Sequence, residues 1–148
     1  MATPVPNREI NEDKMHQFLG KVVGDFGASL SSSLAYIGQK LGLYKTLAAN
    51  GPLTAAELAE KTNTNERYVR EWLVNQASGG YVDYDAANGR YSLTPEQAVA
   101  LTEEQSPFYV GGGFFVIKAM TQAVERIESY FRDGGGMLWG EHHPDLFI

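Results

Sequence analysis

The chain has 148 residues, of which 43% are apolar and 20% are charged, and 12 Lys and Arg against 18 Asp and Glu give a net charge of −6. This composition is typical of a globular domain and excludes collagen-like and disordered classes. The absence of cysteine excludes disulfides, thiolate metal sites and a thiol nucleophile. The opening MATPVPNREINEDK lacks a signal-peptide core, and no apolar run is long enough for a membrane span, so we expect a cytoplasmic protein without a membrane partner.

Apolar residues recur at helical spacing near the N-terminus, after a Pro-containing start that we expect to be flexible over residues 1–12. One stripe contains Met15, Phe18, Leu19, Val22, Val23 and Phe26, and a second contains Leu30, Leu34, Ile37 and Leu41. Gly42 is placed to end the second stripe, before the apolar turn LYKTLAAN. We predict two or three helices between Asn11 and Asn50. Because their stripes are wide for one small core, we expect them to pack on the rest of the domain and to form a homodimer.

Residues 54–80 carry the signals of a helix–turn–helix. Thr54-Ala-Ala-Glu57 is a capping box, in which the Thr hydroxyl and the Glu carboxylate satisfy backbone N–H groups at a helix start. The stretch TNTN, Thr62 to Asn65, turns the chain and supplies the next N-cap. The second helix ends at Gly79-Gly80, and its predicted buried face contains Val69, Trp72, Leu73 and Ala77.

A hairpin and further helices follow. YVDYD and RYSLT alternate as strands do, around an Asn-Gly turn signal in AANGR. Thr94 and Pro95 begin another helix, TPEQAVALTEE. One long amphipathic helix is predicted from Phe114 to Phe131, with apolar positions at Ile117, Met120, Val124, Ile127 and Phe131. The predicted fold class is therefore mainly α: a winged helix-turn-helix with a short β-hairpin wing, N-terminal dimerisation helices and a long C-terminal helix.

A winged helix is best known for reading DNA, but the charge of this one disfavours nucleic acid. Between Thr54 and Thr94, four basic residues stand against six acidic ones: Lys61, Arg67, Arg70 and Arg90 against Glu57, Glu60, Glu66, Glu71, Asp83 and Asp85. Each acidic residue facing a phosphate repels it and reduces counterion release. If DNA were bound, the contact residues would be Arg67, Arg70, Asn75, Gln76 and Arg90. We favour the simpler interpretation, in which these residues form an ordinary solvated helix face.

Other candidate sites are weaker. The triplets Gly111–Gly113 and Gly134–Gly136 do not follow a convincing strand, so we interpret the first as spacing for Phe114 and Phe115 and not as a phosphate loop. Glu141, His142, His143 and Asp145 have metal-ligand chemistry without helical HExxH spacing, and no metal site is predicted. Ser29 and Ser31–Ser33 lack His-Asp partners and fit helix packing.

Several aromatic residues stand in the second half of the chain, where they form core or line an apolar ligand site. They are Phe108, Tyr109, Phe114, Phe115, Tyr130, Phe131 and Trp139.

Three stretches carry a resemblance to a known module. They are LGKVVGDFGASLSSSLAYIGQKLGLYKTLA, LTAAELAEKTNTNERYVREWLVNQASGGYVDYD and GRYSLTPEQAVAL, of which NERYVREWLVNQASGGYV is the most specific. They resemble the N-terminal winged-helix domain of a family of bacterial class I S-adenosylmethionine-dependent methyltransferases, and the likeness extends more loosely to FRDGGGMLWGEHHPD. Members of that family continue into a Rossmann-like catalytic domain, to which nothing in this chain corresponds.

The resemblance implies that this chain holds no catalytic or cofactor-binding residue, and that S-adenosylmethionine belongs to a parent enzyme. In related O-methyltransferases the winged helix mediates dimerisation and covers the pocket of a small-molecule substrate. For such a lid we name Phe108, Phe114, Phe115 and Met120. The implied organisation is a dimerisation domain over residues 13–132 and a Gly-rich tail over residues 133–148 that starts a linker to the catalytic domain.

The interpretation that follows is a non-catalytic dimerisation and substrate-lid domain of a methyltransferase. The main alternative is a stand-alone winged-helix transcriptional regulator that uses its arginines on DNA. A third is a free-standing domain that holds an apolar ligand between its aromatic helices.

Overall fold

The computed structural model describes residues 9–144. In order along this range lie α1 (Glu12–Lys40), α2 (Leu43–Asn50), α3 (Ala55–Thr62), α4 (Glu66–Ser78), β1 (Asp83–Asp85), β2 (Arg90–Ser92), α5 (Pro95–Thr102), α6 (Gly113–Gln122) and α7 (Val124–Asp133). The mainly α, winged helix-turn-helix class is confirmed. Residues 1–8 and 145–148 lie outside the described range. They include most of the predicted flexible start (residues 1–12), Asp145 of the His-rich group and the end of the predicted tail.

The chain divides into two compact units between Leu30 and Ser31. In the first unit, Asn11 Oδ1 accepts the Lys14 N–H at 3.0 Å at the start of α1. Glu12 and Asp13 lie in the first turn of α1, where their negative charge interacts favourably with the helix dipole. Most residues of the first predicted stripe, and Leu30 of the second, are exposed on this segment. Between 49% and 70% of each of the following side chains is exposed: Phe18, Leu19, Val23, Phe26 and Leu30.

The second unit has a core built by α2, α3 and α4. Its fully buried side chains include Leu43, Tyr44, Leu47, Leu58, Leu73 and Val82. Helix α2 packs against α3 and α5, and α3 packs against α4. The predicted inner face of α4 is confirmed at Val69, Trp72 and Leu73, while Ala77 is half-buried beside the core.

Trp72 joins α4 to the last turns of α1. Its indole N–H donates to the Leu34 carbonyl at 2.8 Å, and its ring meets the Tyr44 ring edge to face at 5.0 Å between centroids. The contact requires glycine at position 38, because a Cβ there would lie 2.4 Å from Trp72 Cζ2. The hydroxyl of Tyr44 donates to the Gln76 side-chain oxygen, which lies in the same buried region.

The predicted helix starts are confirmed. Thr54 and Glu57 form the capping box, with Thr54 N–H to Glu57 Oε2 at 2.8 Å and Glu57 N–H to Thr54 Oγ1 at 3.2 Å. Asn65 caps α4 through the Arg67 N–H at 3.0 Å. Thr94 caps α5 ahead of Pro95.

The wing is an antiparallel pair shorter than the predicted strands. Its register pairs Asp83 with Ser92, Tyr84 with Tyr91 and Asp85 with Arg90. The N–H groups of Tyr81 and Val82 donate to the Gln76 carbonyl at the end of α4, so they are not available to the sheet. The predicted turn contains Gly89 in the left-handed region, with φ 66°. Leu53 adds an isolated bridge on the other side of Tyr91.

The prediction of one helix from Phe114 to Phe131 is wrong, because the helix breaks at Ala123 into α6 and α7. Thr121 Oγ1 donates to the Ile117 carbonyl at 2.9 Å, and the Ala123 N–H bonds to the Met120 carbonyl at 3.1 Å, one residue short of the α-helical spacing. A threonine that bonds back to its own helix in this way tends to bend it. The apolar periodicity continues across the break and therefore did not reveal it.

Candidate functional site

Two of the three arginines proposed for DNA contact are already bound to carboxylates. Arg70 pairs with Glu66 one turn earlier on α4. Arg90 donates to both Glu57 oxygens, at 2.8 and 3.0 Å, and to the Pro52 carbonyl at 2.9 Å. Arg67 is exposed on α4. A DNA phosphate would have to compete with Glu57 and Glu66 for the other two guanidinium groups.

The polar residues proposed for base contact are also constrained. Gln76 is 1% exposed, so its assignment to a groove-facing surface is wrong. Its amide donates to Asn75 Oδ1 at 3.0 Å. Gln76 lies four residues after Trp72 and so belongs to the buried face of α4.

Negative charge is fixed near the wing. The Thr54 backbone N–H, and then the Arg90 guanidinium, hold the pKa of Glu57 below its ordinary value. At the wing tip, hydrogen bonds from the Asn88 side chain and the Ala87 N–H lower the pKa of Asp85. Both groups therefore remain ionised at neutral pH, where they repel a polyanion.

The four residues named for a substrate lid are distributed over the α5–α6 region. Phe114 is half-buried, with its ring 6.2 Å from that of Tyr81. Phe115 meets Tyr36 edge to face at 5.2 Å. Phe108 and Met120 are 73% and 49% exposed. The phenylalanines at 114 and 115 thus pack on different partners, and their lid role stays a prediction.

The first glycine triplet has a packing function. A Cβ at Gly111 would lie 2.6 Å from Tyr109 Cε2 and 2.7 Å from Gln39 Nε2. Only glycine allows the chain to approach Tyr109 and Gln39 this closely before α6 begins at Gly113. The close approach is to Tyr109 and Gln39, so the predicted role of the triplet as spacing for Phe114 and Phe115 stays a prediction.

Two apolar cavities open on the second unit. One, of about 440 Å³, is lined by Pro95, Glu96, Val99 and Phe108. The other, of about 250 Å³, lies between the end of α1 and the start of α4, where Ile37, Leu41, Tyr68 and Trp72 are among its lining residues. Phe108, a member of the predicted lid, therefore borders a ligand-sized space.

The His-rich end of the described chain is engaged with α6 and α7. Glu141 accepts from Arg126 at 2.5 Å, and Lys118 Nζ lies 3.2 Å from His143 Nε2. Over residues 9–144, no three His, Asp or Glu side chains are grouped so that they could hold a metal ion. Within the same range, no helix has both the length and the apolarity to cross a membrane.

Comparison with known proteins identifies the domain. Residues 28–103, about half of the chain, match the family described as the Rv2258c-like winged HTH domain. No curated protein matches the chain significantly. Solved structures with a similar fold include the mitomycin 7-O-methyltransferase MmcR, with a TM-score of 0.70, 23% identity and coverage of 85% of this chain and 37% of that chain.

Two further structures share the fold. PigF with SAH has a TM-score of 0.60 and 17% identity, covering 84% of this chain and 34% of that chain. The S-adenosylmethionine-dependent methyltransferase SibL in its apo form has a TM-score of 0.58 and 19% identity, covering 81% of this chain and 37% of that chain. The chain thus spans little more than a third of each matched protein's length, and at these identities the likeness establishes the fold. By its family match, the chain belongs to the Rv2258c-like winged HTH domain family.

Proposed function

We propose that this chain is the non-catalytic dimerisation and substrate-lid domain of an S-adenosylmethionine-dependent methyltransferase. The observation that carries the proposal is the fold shared with two proteins named as methyltransferases, in which the matched part is 37% of each. The remaining part of such an enzyme would hold S-adenosylmethionine and the catalytic groups. This chain would contribute an interface and one wall of a small-molecule site, and it would work in the cytoplasm.

The exposed stripe on α1 supports a homodimer. Phe18, Val23, Phe26 and Leu30 are each more than 60% exposed on one helix. Burying a large apolar side chain contributes roughly 1.5–3 kcal/mol. A row of four along one helix therefore provides enough driving force to offset much of the entropy lost on association. A second copy of the same helix presents the same row, as a two-fold dimer requires.

The electrostatics of the winged helix support a protein-facing use over DNA reading. The pairing of Arg70 with Glu66 and of Arg90 with Glu57 leaves little uncompensated positive charge on α4 and the wing. Nonspecific DNA affinity depends on such charge. A stand-alone transcriptional regulator is accordingly the less supported alternative.

Sedimentation equilibrium of the purified chain tests the dimerisation part. We expect a species of twice the 16.3 kDa chain mass at micromolar concentration. Phe26→Glu should weaken dimerisation at least about tenfold, because it places a charge in the apolar stripe. Gln17→Glu, which adds the same charge on the opposite side of α1, is the matched control and should leave the dimer intact. A chain that remains monomeric at all concentrations would contradict this part.

A separate measurement tests the non-catalytic part. Calorimetric titration of the chain with S-adenosylmethionine should show no tight binding, and a methyl-transfer assay on the pure chain should show no turnover. Turnover by the pure chain would overturn the assignment of catalysis to another domain.

A further inference from the structure

Phe108 is a large apolar side chain at the surface, on a loop whose backbone is hydrogen-bonded. It is 73% exposed, although its backbone is tightly constrained. Its N–H donates to Ser106 Oγ at 3.2 Å, and the next N–H, that of Tyr109, donates to the Ser106 carbonyl at 3.1 Å. The Val110 N–H then bonds to the Ala100 carbonyl of α5 at 2.8 Å. The loop backbone is therefore held in place where it carries the exposed ring.

The ring forms one side of the cavity of about 440 Å³. The other side is α5, from which Pro95 and Val99 project one turn apart. Small-molecule sites have volumes of roughly 300–1,000 Å³ and mostly apolar walls with a few polar groups. The cavity has this size and this kind of wall, and among the described residues that line it Glu96 is the charged one.

The charged group that lines the cavity favours a cation. The Glu96 carboxylate is exposed, and across residues 9–144 no hydrogen bond or ion pair engages it. A carboxylate attracts a positive charge directly, and the face of a phenyl ring attracts a cation through its quadrupole. Glu96 and Phe108 thus favour the same class of ligand from two sides of one space.

We propose that Pro95, Val99, Phe108 and Glu96 form a binding site for a small molecule that combines an apolar ring with an ammonium group. The ring would lie against Val99 and Phe108, with the ammonium near the Glu96 carboxylate. The assignment of this ligand as a substrate bound by the lid domain rests on the proposed function. The binding itself is a property of this chain and can be measured without a catalytic domain.

Three probes of nearly equal size and different charge test the site: phenethylamine, phenethyl alcohol and hydrocinnamate. Each is titrated into the full chain while the backbone amide NMR shifts are followed. We expect millimolar binding of phenethylamine with shifts centred on Val99 and Phe108. Because a partly exposed ion pair is worth about 0.2–1 kcal/mol, the amine should bind up to about fivefold more tightly than the alcohol, and the carboxylate should bind most weakly.

Variants assign the two parts of the site. Glu96→Gln should reduce the amine to the affinity of the alcohol, whereas Glu125→Gln, an exposed glutamate on α7, should change nothing. Phe108→Ala should weaken the amine and the alcohol alike, by about tenfold, since it removes the ring wall. Unchanged dispersion of the amide spectrum shows that each variant is folded.

Equal binding of the three probes, shifts centred elsewhere, or no binding at saturating probe would each overturn the proposal. These outcomes leave the proposed dimerisation and lid domain standing, because that proposal is tested by sedimentation and by the mass of the native protein.

Discussion

The Arg90 guanidinium donates to both oxygens of the Glu57 carboxylate, at 2.8 and 3.0 Å, so the wing is bound to the start of α3. Glu57 also accepts the Thr54 N–H of the capping box. One carboxylate thus stabilises a helix end and holds the wing, and the wing arginine is turned toward the protein.

Replacing Glu57 should change how stability depends on pH. Hydrogen bonds from the Thr54 backbone and then Arg90 lower the pKa of Glu57 from its ordinary 4.5. A lowered folded-state pKa stabilises the protein above the unfolded value, and this stabilisation is lost as pH falls through the folded-state pKa. Glu57→Gln should therefore be less stable than wild type at neutral pH and lose less stability on acidification below about pH 5.

Urea unfolding at several pH values measures the free energy of unfolding of wild type and Glu57→Gln. The control for the loss of one charge is Glu60→Gln, on the exposed side of the same helix. A Glu57→Gln profile parallel to that of wild type would show that the Glu57 carboxylate, with its Thr54 and Arg90 contacts, contributes nothing to acid sensitivity.

Gly38→Ala should destabilise the domain. The added Cβ would lie 2.4 Å from Trp72 Cζ2 and 2.6 Å from Tyr44 Cε2, and both rings belong to the packed core. Overpacking of this kind costs typically about 1–3 kcal/mol. Gly24→Ala is the matched control, because nothing lies within 4 Å of a Cβ there and alanine is the better helix former by roughly 0.5–1 kcal/mol. Thermal unfolding should show opposite shifts, and equal shifts would contradict the packing account.

Tyr44→Phe should leave the buried Gln76 oxygen without its hydroxyl donor. An unsatisfied buried polar group lowers the free energy of unfolding by about 1–3 kcal/mol. Chemical unfolding of the variant measures this loss. Tyr84→Phe, at a tyrosine that is 51% exposed, serves as control. A change for Tyr44→Phe no larger than for Tyr84→Phe would show that the buried hydrogen bond is unimportant.

The same tyrosine should make the fold sensitive to alkali. Burial, and then the neighbouring Tyr81, raise the pKa of the Tyr44 phenol above its ordinary 10.0. A raised folded-state pKa gives stability that is complete below the unfolded value and is lost as pH rises above it. Stability should therefore fall above about pH 10. Tyr44→Phe should flatten that decline, and an unchanged decline would contradict the assignment to Tyr44.

DNA binding should be weak and should not depend on Arg70, which is paired with Glu66. Fluorescence anisotropy with duplex DNA at about physiological salt is expected to show no specific complex. Arg70→Ala should leave the residual binding nearly unchanged, since Arg70 is already paired with Glu66, and the double variant Arg67→Ala with Arg70→Ala should lose no more than the contribution of the exposed Arg67 charge. Tight, steeply salt-dependent binding that the double variant abolishes would instead support a regulator.

Local signals predicted the elements whose partners are close in sequence. The Thr54 and Glu57 capping box, the Asn65 cap and the Thr94-Pro95 start each depend on contacts within a few residues, and the structure has all of them. The Asn88-Gly89 turn likewise follows from a conformational preference of glycine. These signals were sufficient to predict the winged-helix order.

Contacts between distant residues were not predictable in the same way. The pairing of Arg90 with Glu57 joins positions 33 residues apart and cannot be read from local sequence. The DNA affinity of α4 and the wing was therefore predicted from their charge composition alone. Gln76 was assigned to the groove by its polarity, although its spacing from Trp72 and Leu73 already placed it on the buried face. The break at Ala123 is accompanied by a Thr121 hydrogen bond that apolar periodicity does not reveal.

The intact mass of this protein isolated from its native cell, with an antibody raised against the chain, tests the central claim most directly. The match covers 37% of the mitomycin enzyme, so a methyltransferase parent predicts a mass roughly two to three times the 16.3 kDa of this chain. A native mass of 16.3 kDa would contradict the account and would make ligand and DNA binding by the isolated domain the leading explanations.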